Sequence, residues 1–313
     1  MLLKNKNEAK YFKKTKKFAR IVVKDTKGGL ELNAQILNGK ELSKLIEEDL
    51  AKRINVLKTK LNFVPVLATI IVGKNPASVT YVNMKKRACE RVGLQSKIYE
   101  MPETSTTQEL LNLINRLNND KEVCGILLQH PVPRGVDEMA CFNAIALEKD
   151  VDGVNCAGFG RYTMGMDAYK CATPFGIIKI LKHYKVELEG KHAVVVGRSP
   201  ILGKPIAMLL LNENCTVTIC HSKTQNLAEV VKSADIVIGA LGKARFIKKE
   251  WLKPGVVLVD AGYNEGNVGD IDLENAKDVA SAYTPVPGGV GPMTIASLME
   301  QTVISAERIA EKQ

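Results

Sequence analysis

Residues 194–205 read "VVVGRSPILGKP". An apolar, β-branched run stops at Gly197, and helix-forming residues begin a few positions later. A strand that ends in glycine lets the backbone turn closely under a pyrophosphate, and the N-terminus of the next helix attracts its charge. The usual G-x-G-x-x-G spacing is broken here. Ser199 stands where the second glycine would be, and the next glycine is Gly203, so the sequence predicts a wider turn. The following β-branched run, "TVTICHSKT" (216–224), ends in His221, Ser222 and Lys223. Sites for NAD place Asp or Glu near that point to bind the ribose 2′-hydroxyl. With no carboxylate to repel a 2′-phosphate, and with Arg198 and Ser199 placed to bind one, the predicted cofactor is NADP. The competing reading of this stretch is a turn that only connects two elements.

Working outward, "HAVVVG" (192–197), "CTVTICHS" (215–222), "ADIVIGAL" (234–241) and "VVLVDAG" (256–262) read as strands, with helical stretches between the first three. The N-terminal half has the same grammar. "LNAQILNGKELSKLIEEDLAKRINVLK" (32–58) reads as a short strand, an Asn-Gly turn and a helix with Leu42, Leu45, Ile46, Leu50 and Ile54 at helical spacing. "VPVLATIIVG" (64–73) is apolar throughout, as a buried strand should be. In "NPASVTYVNMKKRACERVG" (75–93), Asn75 can cap a helix, Pro76 suits its first position and Gly93 can close it. "TTQELLNLINRLNND" (106–120) has a capping box in Thr106 and Glu109, and "CGILLQHPVP" (124–133) is a strand ended by prolines. Strands alternating with helices predict parallel sheets covered by helices. The fold class is therefore α/β, with two α/β domains, and a last helix from about 292 to 312 packing back on the first.

A chain of 313 residues can bury the core this requires. No apolar run approaches the ~18 residues of a membrane span. Seven scattered cysteines without a C-x-x-C, and four histidines that do not cluster with them, argue for a reducing, cytoplasmic setting and against a metal site. The net charge of +10 suggests nucleic acid, but residues 1–31 alone carry +7. That segment lacks the apolar core of a secretory signal, and Glu8, Asp25 and its lysine bias weigh against a transit peptide. Attraction to RNA or an anionic surface is an alternative. The reading adopted is a basic extension without fixed structure over residues 1–33.

Four further stretches carry polar groups where chemistry could occur. Ser78, Tyr81 and Lys85 lie at i, i+3 and i+7, so one helix face holds all three. Taken alone, a solvated lysine beside a packing tyrosine explains them as well. Gln129 ends a parallel strand, at the edge where α/β sheets bind ligands. Asp150 and Asp152 precede Gly153 in "EKDVDGVN", where a plain Asx turn is the alternative. "YTPVPGGVGPMT" (283–294) places three prolines and three glycines before a helix, which suits a rigid loop around a ligand.

In this order the stretches closely resemble the methylenetetrahydrofolate dehydrogenase/methenyltetrahydrofolate cyclohydrolase family. The resemblance runs from about Ala34 to the C-terminus and rests on "PVPGGVGPMT", "GRSPILGKP" with "HSKT", and "KDVDG". It implies two domains flanking a cleft: a folate-binding catalytic domain (34–150 plus 286–313) and a Rossmann-like NADP-binding domain (151–285). It implies Lys85 as the catalytic lysine, Tyr81 stacking near the pterin, Gln129 holding the lysine and Asp152 hydrogen-bonding the pterin. Ser78 and the loop of Pro287, Gly288, Gly289 and Gly291 would line the folate site. Gly197, Arg198, Ser199, Ser222 and Tyr263 would meet NADP. No metal is implied, and a homodimer is usual. His130, Ala172 and Tyr263 depart from residues common in the family, without removing a catalytic group. The rival enzyme, an NADP dehydrogenase acting on a shikimate-like acid, leaves "PVPGGVGPMT" unexplained. A nucleic-acid-binding protein would need more aromatic residues among its basic ones than Tyr11, Phe12 and Phe18.

Overall fold

The computed structural model describes residues 34–312, together with the backbone of strands β1 (Val22–Lys24) and β2 (Leu30–Leu32), which pair antiparallel. The remainder of the basic 1–33 extension lies outside the described residues.

The N-terminal unit follows as β3 (Gln35–Ile36), α1 (Gly39–Leu61), β4 (Val66–Val72), α2 (Pro76–Val92), β5 (Gln95–Met101), α3 (Thr107–Asn119), β6 (Val123–Leu128) and α4 (Glu138–Ala144). Strands β5, β4 and β6 form a parallel sheet in that order. Central β4 is buried along its whole length, which is why its sequence, apolar but for Thr69, shows no alternation. The predicted caps are present. Asn75 accepts from the N–H groups of Ala77 and Ser78, Gly93 ends α2 in the left-handed region, and Thr106 and Glu109 form a reciprocal capping box. Asn38 is an N-cap rather than a turn residue: its side chain accepts from Glu41 N at 3.1 Å. Strand β5, "QSKIYEM", adds a strand that the sequence pattern does not predict. It is an edge strand, and its polar residues hide the alternation.

The chain continues as α5 (Cys156–Thr163), α6 (Ala172–His183), β7 (His192–Val196), α7 (Gly203–Asn212), β8 (Thr216–Cys220), α8 (Leu227–Lys232), β9 (Ile236–Gly239), β10 (Val256–Asp260), α9 (Leu273–Ala276), β11 (Ala280–Tyr283) and α10 (Val290–Ala310). The second sheet is parallel, in the order β3-β11-β10-β9-β7-β8. From β7 the chain goes first to β8 on one side, then to β9 on the other. The strand order therefore reverses at β7, which makes its carboxyl end the switch point where open α/β sheets bind ligands.

Two details knit the halves together. Strand β3 pairs with β11 at the edge of the second sheet, although it precedes the whole first sheet in sequence. Helix α10 lies along both α1 and α6. Arg53 of α1 makes a bidentate pair with Glu307 of α10, at 2.8 and 2.7 Å. On the opposite side, Gly176 of α6 has its Cα against the backbone of Met293, where a Cβ would collide. The last helix is thus a seam between the two units.

Candidate active site

The first cluster of candidate residues begins with α2. Its apolar residues Val82, Ala88, Cys89 and Val92 are buried, and Ser78 and Lys85 are buried on the same helix. Lys85 is only 9 % exposed, and its Nζ donates to Oε1 of Gln129 at 2.9 Å. Gln129 is held in turn. Its N–H donates to the Ile70 carbonyl, and its Nε2 donates to the His130 carbonyl at 2.7 Å, so Oε1 faces the lysine. Burial lowers the Lys85 pKa, and the Asp152 carboxylate opposes that shift. Burial also raises the Asp152 pKa, against the pull of Lys85 and His130. Desolvation works on both groups toward the neutral form, the condition in which a lysine can accept a proton.

The "KDVDG" segment divides its labour. Lys149 Nζ donates to the carbonyls of Leu117 and Asp120 at the end of α3. Asp150 is 1 % exposed and accepts from the N–H groups of Val154 and Asn155, at 3.1 and 2.9 Å. It folds the loop, as the Asx-turn reading expects. Only Asp152 acts on Lys85 and His130. His130 meets Glu138 through Nδ1 at 2.7 Å, and that carboxylate raises its pKa.

The 283–294 loop sits beside the start of α1. Gly288 adopts φ 104°, and its carbonyl accepts from Lys40 N at 2.8 Å. The Cα of Gly39 faces the Gly289 carbonyl with no space for a Cβ. Gly289 is buried, whereas Pro287 and Gly291 are exposed.

On the other side of the cleft, β7 ends at Gly197. Its φ is 141°, and a Cβ there would strike the Ala240 carbonyl. Gly203, the first residue of α7, packs on the Gly197 carbonyl in the same way. Both glycines hold the turn tight against neighbouring backbone and α7 starts from it, so the turn has the features of a dinucleotide cradle, in which a helix N-terminus attracts the pyrophosphate charge. Val196 is paired with Cys220, and Gly197 N donates to the Cys220 carbonyl. Arg198 and Ser222, both exposed, therefore leave the ends of neighbouring strands. The Ser199 hydroxyl accepts from Gly203 N at 3.3 Å, so it already serves the helix start.

Tyr263 follows β10 and is 60 % exposed. It meets Tyr81 of α2 edge-on, with ring centroids 5.9 Å apart and planes at 75°. This pair spans the cleft. Burial and the Tyr263 phenol both push the Tyr81 pKa up, so its phenol stays protonated at neutral pH.

Two carboxylates that the sequence does not single out underlie the cofactor side. Asp260 and Asp270 are 1 % and 0 % exposed and accept hydrogen bonds from the loops after β9 and β10. The one signal for Asp270 is "NVGDID" (267–272), an acid behind a glycine in an irregular stretch, and Asp260 is the single acid that ends the apolar run "VVLVD". Among the described residues, no group of three or more His, Cys, Asp or Glu is disposed to hold a metal ion. No described helix is long and apolar enough to cross a membrane.

Comparison with known proteins places the chain in a class. Residues 37–152 match the tetrahydrofolate dehydrogenase/cyclohydrolase catalytic domain, and residues 171–310 match the NAD(P)-binding domain of the same family. The chain belongs to the tetrahydrofolate dehydrogenase/cyclohydrolase family. It is 60 % identical over 278 residues to the bifunctional protein FolD of Alcanivorax borkumensis, covering 88 % of this chain and 99 % of that one. The crystal structure of the bifunctional FolD of Campylobacter jejuni superposes with a TM-score of 0.86 at 44 % identity, covering 88 % of this chain and 99 % of that one. The Trypanosoma brucei FolD structure, complexed with NADP cofactor and inhibitor, gives 0.84 at 32 % identity, covering 88 % and 98 %.

Proposed function

We propose that the chain oxidises 5,10-methylenetetrahydrofolate to the 5,10-methenyl form with NADP, and hydrolyses the methenyl form to 10-formyltetrahydrofolate. The observation that carries this reading is the buried Lys85–Gln129 hydrogen bond facing Asp152, in a chain of this family. NADP supplies a hydride acceptor. Around it, Gly197 and the start of α7 would cradle the pyrophosphate, with Arg198 and Ser222 meeting the 2′-phosphate. Ser199 supports that turn, and Tyr263 flanks the reactive end. NADP is also the cofactor of the Trypanosoma brucei relative.

On the folate side, Asp152 accepts a hydrogen bond from the pterin, and Tyr81 packs on the substrate, with Ser78, Pro287, Gly288, Gly289 and Gly291 lining the site. Loss of hydride from the bridging carbon is driven by a folate nitrogen lone pair, so it needs alignment and no protein base. Hydrolysis differs. Water adds to the methenyl carbon and gives up a proton; the bond from that carbon to N5 then breaks, with a proton going to N5, and leaves the 10-formyl group. Lys85, depressed by burial and further by the positive substrate, takes the proton from water while Gln129 holds the amine in line.

We place the protein in the cytoplasm as a homodimer. Its seven cysteines are unpaired, which suits a reducing compartment. An absorbance assay of methenyl-folate formation and decay, run with NADP and with NAD, tests the function. Formation without decay, or no formation, would refute it. Light scattering of the purified protein tests the dimer.

A further inference from the structure

The cofactor side of the cleft is built on one buried carboxylate. Asp270 Oδ2 accepts from the N–H groups of Leu241 and Gly242, at 2.7 and 3.0 Å. Its Oδ1 accepts from Lys243 N at 2.8 Å and Asn264 Nδ2 at 3.2 Å. Asp260 holds Asp270 in place. Its Oδ1 accepts from Asp270 N and Gly262 N, at 2.9 and 3.0 Å, and its Oδ2 accepts from Ile271 N at 2.8 Å. Gly262 and Gly269 are pressed against these carboxylates, and a Cβ on either would occupy carboxylate space.

The loops so held are 240–243 and 261–264. The first abuts the glycine turn, because Ala240 packs on Gly197. The second carries Tyr263, which reaches Tyr81 across the cleft. Between the turn and that tyrosine pair lies the path a dinucleotide must follow to bring its reactive end to the folate.

We propose that Asp270, braced by Asp260, is the positioning residue for the reactive end of the cofactor, and that it serves hydride transfer without serving the hydrolytic step. The inference rests on the dehydrogenase/cyclohydrolase reading above. Its physical basis is the count of donors. All four groups facing Asp270 are N–H donors, so both of its oxygens must accept. An asparagine can present only one acceptor oxygen and turns an NH₂ group against donors on the other side. The loops must then shift, while the Lys85–Gln129 hydrogen bond, which shares no partner with Asp270, is kept.

The test is kinetic, on the full chain. For Asp270→Asn, dehydrogenase kcat/KM should fall about tenfold to a hundredfold, chiefly through KM for NADP, the scale expected when buried N–H donors lose their acceptor. Hydrolysis of supplied methenyl-folate should stay within about twofold of wild type. A parallel fall of both activities, or no fall of the first, would overturn the proposal. If that variant is insoluble, Asn264→Ala decides. It deletes one donor from the half-buried loop side, and it should raise KM for NADP severalfold with hydrolysis unchanged; an unaltered KM overturns the proposal. Wild-type protein lacking both activities would instead defeat the functional reading on which it rests.

Discussion

The two walls of the cleft solve opposite problems. The folate wall takes charged groups out of water: Lys85 is buried, and Asp152 is desolvated beside it. Its groups come from α2, the end of β6 and the loop before α5, joined only by folding. The cofactor wall keeps outside the groups proposed to meet its ligand: Arg198 and Ser222 are exposed at adjacent strand ends. What is buried there is backbone contact through Gly197 and Gly203, and two carboxylates, Asp260 and Asp270, whose oxygens accept mostly from backbone N–H groups. In the proposed function the first wall tunes a proton acceptor, Lys85, where a small change in burial changes the chemistry. The second wall is a shape that binds, where a lost side chain costs affinity.

The sharpest way to break this contrast is Lys85→Met, which keeps length and apolar bulk but removes the amine. Cyclohydrolase activity should fall by about 10²–10⁴-fold, the usual worth of general acid–base help. Dehydrogenase activity should fall less, so methenyl-folate accumulates in a coupled assay. Lys85→Arg should not rescue hydrolysis, because guanidinium stays protonated. Normal hydrolysis by Lys85→Met, corrected for the spontaneous rate, would mean that the buried lysine is structural.

On the cofactor wall, Arg198→Ala should weaken NADP by about 1.5–3 kcal/mol while leaving NAD almost unchanged, the worth of a hydrogen bond to a charged group. Ser222→Asp should move preference further toward NAD by repelling the 2′-phosphate. Titration calorimetry with both dinucleotides checks this; equal losses for the two would displace the phosphate site from these strand ends.

The pH profiles should also separate the walls. Lys85 accepts a proton only when neutral, so cyclohydrolase kcat should rise with pH and level off above its pKa. Burial sets that inflection below the ordinary lysine value. Because the Asp152 carboxylate raises the lysine pKa, Asp152→Asn should shift the rising limb to lower pH. Dehydrogenase kcat should be flat across the same range. Stopped-flow rates from about pH 6 to 10 decide it, and a shared inflection in both activities would contradict the division of labour.

The smallest effect should come from deleting residues 1–31. The family match starts at residue 37, and 99 % of the Alcanivorax relative aligns to 278 residues of this chain. Both activities and the melting temperature should change little; a large drop in either would give the basic segment a role in the fold.

The two walls are not equally legible in the sequence. The glycine turn is contiguous along the chain, so "VVVGRSPILGKP" carries its whole signal in one stretch. The lysine is ambiguous, since spacing puts Ser78, Tyr81 and Lys85 on one face but does not turn that face inward. Edge strand β5 escapes a pattern reading because its side chains are only partly buried. Asp270 escapes it because most of its partners are backbone N–H groups, which leave no pattern in side-chain identity.

Local chemistry is what the sequence by itself determined here. Capping pairs, apolar strands and the glycines of the cofactor turn act on neighbours a few residues away, so their meaning is written beside them. Tertiary structure decided three other things: that β3 closes the far edge of the second sheet, that α10 joins both units, and that Lys85 is desolvated against Gln129 and Asp152. Burial is the reason. A pKa depends on which surfaces exclude water around a group, and those surfaces come from segments that are remote along the chain and adjacent only once it has folded.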